Sequence, residues 1–453
     1  MNQDIFRSYD IRGIYPIDID EAFAEKVGKA FGSYIGSGKK VLVGRDIRKS
    51  SPSLSERLIK GVESQGLEIM YAGVIPTPVL YFAVSHYKLD GGITVSASHN
   101  PPEWNGFKVT RENAHVIGLG SGLERIRDMV VENRFEQGGN GKRVDRSREI
   151  MRDYLDFLSG KVARLDGVRI GIDPGNGAYS GIASETFRGK GAEVFAINDV
   201  PDGTFPSRSP EPKESTIGEL IELVKSEGLD LGVAFDGDGD RALVVSDTGE
   251  VLGGDVLLAL FVKMYLNSGE KVAYEVSCSM VVEDMIKEKG GVALLTKVGH
   301  SHFKDAMKDQ NGRFGGEISG HMYYQELYGN DDGLFTALKA AEMISKSGKR
   351  LSELIAAMPR YVNAFEEYDA EDAIKFKVME RITADLSEGS DNVITFEGVK
   401  EITPAGWFLL RVSNTTPKIK CRVEAKNAKD LEKLAEKARD EFSAAYGNIK
   451  GGG

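Results

Sequence analysis

Three carboxylates follow a short apolar run in the middle of the chain. The sequence D-G-D-G-D-R at 236–241 comes directly after L-G-V-A-F at 231–235. Carboxylates at alternate positions, with glycines between them, can turn toward one cation, and hard oxygen ligands favour Mg²⁺ or Ca²⁺. An EF-hand loop would need Gly in place of Arg241 and Glu in place of Asp247. The other interpretation is a polar hairpin turn, which would leave three neighbouring carboxylates to repel one another.

A second polar segment leaves an apolar strand near residue 95. The sequence T-V-S-A-S-H-N-P-P-E-W-N-G-F-K at 94–108 combines the Ser98 hydroxyl, the His99 imidazole and the Lys108 amine. A nucleophilic serine needs an adjacent base, or it must already carry the group that is transferred. A turn capped by Ser and Asn is the alternative. G-x-S-x-G, H-E-x-x-H, G-x-G-x-x-G and Walker A patterns are absent, which removes the usual support for hydrolase, zincin, dinucleotide and P-loop chemistry.

Two further loops carry ligand-binding side chains. The sequence G-G-E-I-S-G-H at 315–321 offers a carboxylate, a hydroxyl and an imidazole that could hydrogen-bond to vicinal sugar hydroxyls, or it could simply cap a helix. The sequence R-V-S-N-T-T-P at 411–417 gathers a cation with hydroxyl and amide groups, a composition suited to phosphate. On its own, the second loop is equally typical of a Ser/Thr turn between strands.

Composition restricts the partners of these loops. The 453 residues include 58 Lys and Arg against 69 Asp and Glu, a net charge of −11, which argues against a nucleic-acid or anionic-membrane partner. Two cysteines, Cys278 and Cys421, provide no disulfide framework, and the N-terminus has no apolar signal segment. We therefore expect a cytoplasmic protein whose anionic ligands are held by local positive charge. Nothing in the sequence indicates the oligomeric state.

Strand-like and helical patterns alternate over most of the chain, which predicts mainly parallel α/β units. The pattern restarts twice, and from Tyr368 onward it changes to helix, strand, strand, strand, helix. We therefore predict three similar mixed-sheet α/β domains plus a C-terminal α+β domain, with limits at 1–150, 151–253, 254–366 and 367–453. The repetition of similar units suggests an internal repeat at the scale of a domain.

The four loops, in this order and one per predicted domain, resemble the α-D-phosphohexomutase superfamily. F-R-S-Y-D-I-R-G at 6–13, G-R-D at 44–46 and D-G-T-F-P at 202–206 are also similar to segments of that family. The resemblance spans nearly the whole chain and is strongest to the phosphomannomutase/phosphoglucomutase branch. It implies four domains around a central cleft, with each domain contributing one loop and the fourth acting as a lid.

The resemblance also implies a mechanism. Ser98 would carry a phosphoryl group, pass it to a hexose monophosphate, and recover the other phosphate from a hexose 1,6-bisphosphate, which also serves as activator. One Mg²⁺ ion per active site would bind the Ser98 phosphate and three carboxylates, those of Asp236, Asp238 and Asp240. Arg12 and Lys108 would stabilise the transferring group, and Lys108 or His321 would accept the hydroxyl proton. The implied substrate contacts are Tyr9, Arg241, His300, Glu317, Ser319, Arg411, Ser413, Asn414 and Thr415.

The implied substrates are small sugar phosphates, with mannose and glucose favoured over glucosamine. Ile318 stands where the mannose/glucose branch usually has Met and where glucosamine mutases usually have Gln, and Ile is apolar like Met. The S-N-T-T-P sequence at 413–417 is also similar to that of the mannose/glucose branch. A phosphoglucosamine mutase remains an alternative. A sugar-phosphate phosphatase would share the serine and metal chemistry, and a non-catalytic sugar-phosphate binder would have no use for Ser98 or the three carboxylates.

Overall fold

The structure is a computed structural model that describes residues 3–413 and 416–451. Its strands form four separate sheets, one of seven strands and three of five. Three of the sheets are mixed and the last is wholly antiparallel, which confirms the predicted three α/β units followed by an α+β unit. Among the described residues, no helix has the length and apolar character needed to cross a bilayer.

The first unit is built on the seven-stranded sheet. Its strands are β1 Ile11–Ile14, β2 Lys40–Arg45, β3 Glu68–Val74, β4 Gly91–Val95, β5 Trp104–Arg111, β6 His115–Val116 and β7 Lys142–Asp145. Its helices are α1 Glu21–Ile35, α2 Ser51–Glu63, α3 Thr77–His86, α4 Leu123–Glu132 and α5 Ser147–Ser159. The Asp20 side chain accepts a hydrogen bond from the backbone N–H of Phe23 and so fixes the start of α1.

The second and third units are smaller. The second contains β8 Arg169–Asp173, α6 Ile182–Gly189, β9 Glu193–Ala196, α7 Gly218–Glu227, β10 Leu231–Phe235, β11 Ala242–Ser246 and β12 Val251–Leu252. The third contains α8 Gly254–Tyr265, β13 Lys271–Glu275, α9 Met280–Glu288, β14 Val292–Thr296, α10 His300–Asp309, β15 Gly312–Gly316, β16 Met322–Tyr324, β17 Asn330–Asp331, α11 Gly333–Ser347 and α12 Leu351–Ala356.

The fourth unit is an antiparallel sheet covered by two helices. It contains β18 Val362–Asp369, α13 Lys375–Gly389, β19 Val393–Ile394, β20 Val399–Thr403, β21 Gly406–Val412, β22 Lys418–Ala425 and α14 Ala428–Gly451. The sequence pattern missed its first strand, β18, which pairs along its whole length with β22. Glu366 and Glu367 are adjacent in β18 and most residues of the strand are at least partly exposed, so the apolar alternation that marks a strand is weak there. The predicted limit at 366 falls inside this strand, and the domain limits themselves stay a prediction.

The three α/β units share one topology, which bears out the suggested internal repeat. In the second unit β8 lies between β9 and β10, both parallel to it, and β11 then pairs antiparallel with β10. The same arrangement joins β13 to β14, β15 and β16. It also joins β2 to β3, β4 and β5. Each unit therefore has the strand order 2-1-3-4 in its central part.

This topology places the three chemical loops at equivalent positions. The serine loop joins β4 to β5, the metal loop joins β10 to β11, and the G-E-I-S-G-H loop, here called the sugar loop, joins β15 to β16. Each loop leaves the carboxyl end of strand 3 in this order, which is β4, β10 or β15, next to the point where the strand order reverses. In open α/β sheets this is the edge at which ligands bind.

The cores show how the units are joined. One continuous group of buried apolar side chains runs through the first three units, whereas the fourth unit has a core of its own. A small cluster of Val276, Trp407 and Leu409 joins the third and fourth units. Lys400 Nζ also donates to the carbonyl of Val276 at 2.7 Å. The fourth unit thus packs against the third through this small apolar cluster and a few polar contacts, which include the Met280 N–H donating to Glu424 and Arg422 pairing with Asp255.

Candidate active site

A cavity of about 400 Å³ lies where the first three units meet. Ser98 and Lys108 line it from the first unit, Asp240 and Arg241 from the second, and the sugar loop from the third. Several residues predicted as substrate contacts share its wall, namely Tyr9, His300, Glu317 and Ser319, together with Arg12 and His321. The structure therefore brings residues more than 300 positions apart in the chain to one cavity.

The three carboxylates of the metal loop converge and are fully buried. Oxygen atoms of Asp236, Asp238 and Asp240 lie within 4.8 Å of one another. Burial, together with the charges of Asp240 and Asp238, raises the pKa of Asp236 well above its usual range. Among the described residues, the Oδ1 atoms of Asp238 and Asp240 are buried and have no hydrogen-bond partner. Unpaired buried carboxylate oxygens that face one another suit a divalent cation, so the residues present fit the predicted metal site.

Two glycines allow the metal loop to pack this closely. A Cβ on Gly237 would lie 2.6 Å from the carbonyl oxygen of Ser98, so only glycine permits the metal loop to approach the serine loop. Gly239 has a φ of +80°, and its Cβ would lie 2.4 Å from the ring of Tyr179. The glycines of the D-G-D-G-D sequence are therefore needed for the geometry of the site.

The serine loop is held by a fully buried arginine. Arg48 donates to the carbonyl oxygens of four residues of the loop, those of Ser98, Asn100, Pro101 and Trp104, at 2.5–3.0 Å. Asp46 in turn pairs with Arg48 at 3.1 Å. Ser98 itself has a φ of +50°, an uncommon conformation for a residue with a side chain. The Arg48 contacts fix the loop in this conformation and present the hydroxyl to the cavity.

The hydroxyl of Ser98 lies between two potential partners. Its Oγ is 3.3 Å from Asp236 Oδ2 and 3.2 Å from His99 Nδ1. Burial, with the nearby charges of Arg241 and Arg12, lowers the pKa of His99 to about 3, so that imidazole is neutral at physiological pH. The serine is therefore next to both the metal loop and an uncharged nitrogen.

Lys108 balances two of the three carboxylates. Its Nζ lies 2.5 Å from Asp240 Oδ2 and 2.7 Å from Asp238 Oδ2. Burial alone would lower the pKa of Lys108, but the charges of Asp238 and Asp240 outweigh that effect and raise it well above its usual range. In this arrangement Lys108 is a cation and a hydrogen-bond donor.

His321 belongs to a chain of hydrogen bonds. Its Nε2 lies 2.8 Å from Nε of Arg241, which can only donate, so Nε2 accepts. Its Nδ1 is then the protonated nitrogen of the neutral ring and donates to Asp331 at 2.6 Å. The other oxygen of Asp331 is 3.4 Å from His300 Nδ1. Asp331 thus orients both imidazoles that line the cavity.

The sugar loop is fixed from within its own unit. Glu317 Oε1 accepts from the backbone N–H of Gly299 at 2.7 Å, and its other oxygen accepts from the Ser319 hydroxyl at 3.1 Å. Glu275, at the end of β13, accepts from the backbone N–H of Ile318 at 2.8 Å. Burial, with the charge of Glu317 nearby, raises the pKa of Glu275 to about 7.

The phosphate loop of the fourth unit does not line the cavity. Arg411 Nη2 instead pairs with Glu397 Oε2 at 2.8 Å. Ser413 is buried, and its hydroxyl is 2.7 Å from that of Thr416. Asn414 and Thr415, also predicted as substrate contacts, lie outside the described residues. The other predicted site residues meet at or beside the cavity, and this loop alone is set apart from it.

Sequence reasoning missed four supporting residues. Thr77 donates to Asp238 Oδ2 at 2.6 Å, and Asn100 accepts from Arg12 at 2.6 Å. Asp331 and Arg48 orient the imidazoles and the serine loop, as described above. Asn100 stood in a loop that the sequence analysis singled out. The other three lie outside the predicted loops, and their sequence carries no separate signal.

Comparison with known proteins places this geometry in a family. Four domains of the phosphoglucomutase/phosphomannomutase family match the chain in order: alpha/beta/alpha domains I, II and III at residues 3–136, 152–249 and 253–361, and the C-terminal domain at 355–441. A protein of Pseudomonas putida named phosphomannomutase/phosphoglucomutase is 35% identical over 450 residues, covering 97% of this chain and 95% of that protein.

Two further matches also cover nearly the whole chain. A protein of Methanopyrus kandleri named probable phosphoglucosamine mutase is 34% identical and covers 96% of both chains. A crystal structure of a phosphoglucomutase/phosphomannomutase family protein from Burkholderia thailandensis matches with a TM-score of 0.91 at 32% identity, over 98% of each chain. The fold and site define a sugar-phosphate mutase of the α-D-phosphohexomutase superfamily. The chain belongs to its phosphoglucomutase/phosphomannomutase family.

Proposed function

We propose that this chain interconverts hexose 1-phosphates and hexose 6-phosphates through a phosphoryl group carried on Ser98. The observation that supports the proposal most strongly is the position of the Ser98 hydroxyl, 3.3 Å from a carboxylate of the metal loop and on the wall of the cavity that contains the sugar loop. A phosphoryl donor and a hydroxyl-binding loop in one cavity suit transfer to a bound sugar. The relatives above carry the corresponding names.

Mg²⁺ is the proposed cation, held by Asp236, Asp238, Asp240 and an oxygen of the Ser98 phosphate. When bound, the ion draws negative charge from the phosphoryl group that is transferred. Arg12 is anchored by Asp10 at 2.7 Å on one side and Asn100 on the other, and its guanidinium can stabilise the equatorial phosphoryl oxygens.

The proton of the attacking sugar hydroxyl has two candidate acceptors. His321 Nε2 accepts a hydrogen bond from Arg241, and its lone pair becomes free if Arg241 turns from it toward substrate phosphate. Lys108 is protonated while it bridges two carboxylates, and it can accept a proton only after losing one. Its positive charge instead suits stabilisation of the transferring group. We therefore favour His321 as acceptor and Lys108 as electrostatic stabiliser.

The bisphosphate intermediate must turn around between the two transfers. In both orientations the hydroxyls near the rotation axis, O3 and O4, can be held by Glu317 and Ser319, while Tyr9 and His300 complete the wall. Arg411, Ser413, Asn414 and Thr415 are proposed to grip the phosphate that is not reacting. The fourth unit would then swing toward the cavity as a lid, which its small contact with the third unit permits. Hexose 1,6-bisphosphate is the proposed activator because it phosphorylates Ser98.

Mannose and glucose are the proposed sugars. They differ at C2, away from the O3 and O4 grip, so the enzyme should discriminate between them by about 10–200-fold or less. The amine of glucosamine would need an acceptor beside it, whereas Ile318 is apolar. Glucosamine remains the alternative, since the Methanopyrus relative is named for it. A phosphatase is the less favoured reading.

One assay tests the proposal. Glucose, mannose and glucosamine 1-phosphates are each supplied with Mg²⁺ and glucose 1,6-bisphosphate, and both the 6-phosphate and inorganic phosphate are quantified. We expect isomerisation to exceed phosphate release by orders of magnitude. Ser98→Ala should abolish it, and Ser53→Ala, an exposed serine of the same unit, should leave it unchanged. Predominant release of inorganic phosphate would instead indicate a phosphatase.

A further inference from the structure

A second cavity lies farther along α10 from His300, at the seam between the first and third units. Its volume is about 380 Å³, close to that of the active-site cavity. Ser85, Asn113 and His115 line it from the first unit, and Lys304, Lys308 and Tyr328 line it from the third. We call it the seam cavity. It shares no lining residue with the active-site cavity, so it is a separate compartment.

Lys304 is a buried lysine whose two hydrogen-bond partners are neutral. Its side chain is 5% exposed, and its Nζ donates to the carbonyl of Ala114 at 2.8 Å and to Asn330 Oδ1 at 2.7 Å, both neutral acceptors. Burial lowers the pKa of Lys304 to about 7, although Asp331 opposes the effect. Lys108, equally buried, is paired with two carboxylates. An anion bound in the cavity would favour the charged form of this amine.

The other residues that line the seam cavity also favour an anionic ligand. Lys308 adds a second amine, and among the described lining residues there is no Asp or Glu. Burial, with the charge of Lys304 nearby, lowers the pKa of His115, so its imidazole adds a neutral hydrogen-bonding group. This composition is unusual in a chain whose net charge is −11. Asn113, Gln325 and Tyr328 supply neutral hydrogen-bonding groups beside the cations. Cations next to amides and a phenol are the set that recognises a phosphate attached to a polyhydroxy body.

The turn that receives Lys304 is held in an uncommon conformation. Asn113 and Ala114 have φ values of +58° and +54°, and the carbonyl of Ala114 accepts the Lys304 hydrogen bond. For Ala in particular, such a value costs energy that the surroundings must offset. The buried lysine therefore links the two units through a strained turn, as residues at binding sites often do.

The seam cavity is connected to the active site by short structural paths. Helix α10 begins at His300, which lines the active-site cavity, and carries Lys304 and Lys308 on its later turns. Asn330, which accepts from Lys304, precedes Asp331, which orients His300 and His321. A ligand that changes the position of Lys304 would therefore act on the elements that place both imidazoles.

We propose that the seam cavity is a second anion site, which binds the phosphate monoester of a small hydroxylated metabolite with its phosphate on Lys304 and Lys308. The site is distinct from the one used for mutase chemistry. Its existence does not depend on the proposed function, but its occupancy is expected to alter the KM of the enzyme through α10.

Equilibrium dialysis with radiolabelled glucose 6-phosphate tests the proposal. The Ser98→Ala variant serves as background because it cannot transfer phosphate, and we expect it to bind two equivalents. Adding Lys304→Met should remove one equivalent. Adding Lys308→Ala, an exposed position, should weaken that same equivalent roughly 3-fold. Lys287→Ala, an exposed lysine of the same unit outside the cavity, should leave both equivalents intact.

The outcomes separate this proposal from the proposed function. Arg411→Ala should weaken the other equivalent and spare the one that depends on Lys304. One equivalent that is lost in Lys304→Met but unaffected by Arg411→Ala would support the seam cavity and count against the active-site assignment. One equivalent that is insensitive to both lysine substitutions would overturn the seam proposal. If Lys304→Met does not fold, judged by circular dichroism, then unchanged binding in Lys308→Ala decides against it.

Discussion

Replacing Arg411 by alanine should weaken the binding of hexose 1-phosphate and hexose 6-phosphate alike. In the proposed mechanism the loop at 411–417 holds whichever phosphate is not reacting, so both isomers lose the same contact. The Arg411 side chain is 37% exposed and is paired with Glu397 at 2.8 Å. Substrate phosphate must therefore displace the Glu397 carboxylate from Arg411 in order to bind.

The size of the effect follows from these two contacts. A hydrogen bond between charged groups contributes about 1.5–3 kcal/mol. The exposed pair with Glu397 is worth roughly 0–1 kcal/mol and must be given up. The difference leaves about 0.5–3 kcal/mol, or roughly a 2- to 150-fold loss of affinity. Glu397→Gln should change binding in the opposite direction, by no more than about 5-fold, because the competing carboxylate is gone.

The assay is a pair of dissociation constants measured on the Ser98→Ala background, one for each isomer. Arg439→Ala is the matched control, since Arg439 is an exposed arginine of the same unit that pairs with Glu366 away from the phosphate loop. Its substitution should leave both constants unchanged. A loss confined to one isomer would refute the reasoning, because a shared phosphate grip cannot distinguish the two orientations of the sugar.

Three further predictions concern the other loops. Chelation of divalent cations, or Asp238→Asn, should lower kcat by orders of magnitude, measured in the coupled assay with and without added Mg²⁺; full turnover in excess chelator would exclude the metal. Glu275 has a pKa of about 7 when folded, above its value near 4.5 when unfolded, so the folded state binds the extra proton and its stability falls as pH rises from about 5 to 8. Glu275 contributes about 2.5 kcal/mol to this fall, so the fall should be smaller by that amount in Glu275→Gln, as judged by denaturant midpoints at both pH values; equal pH dependence in the two proteins would contradict the assignment. Glu317→Gln should lower kcat/KM for glucose and mannose 1-phosphates by a similar factor, with glucosamine 1-phosphate the poorest substrate throughout; unchanged rates would show that the sugar loop has another role.

Much of the fold could be predicted because apolar periodicity is strong where elements are buried. Strand β10 is buried at every position and was predicted with its observed limits. Strand β18 has mostly exposed side chains and no regular apolar alternation, so its sequence does not predict a strand. Its pairing with β22 is what makes it one. The equivalence of the three chemical loops is visible only in the sheet order, which no local sequence pattern specifies.

The site could be predicted in part for a similar reason. The D-G-D-G-D-R loop and the serine loop are continuous in sequence, so their chemistry can be predicted from their residue types. Residues that act through distant contacts carry no such signal. Arg48 orders the serine loop 50 positions later, and Asp331 orients His321 from the end of β17. Their roles emerge only when the chain is folded.

The most direct test of the account is to follow one phosphoryl group onto and off Ser98. Enzyme incubated with ³²P-labelled glucose 1,6-bisphosphate is isolated, digested and mapped by mass spectrometry. A second portion is chased with unlabelled glucose 1-phosphate in a rapid-quench experiment. The account predicts label on the Ser98 peptide, and transfer of that label to glucose 1,6-bisphosphate at least as fast as turnover, with little inorganic phosphate. Label on His99, no label in fully active enzyme, or release of the label mainly as inorganic phosphate would contradict it.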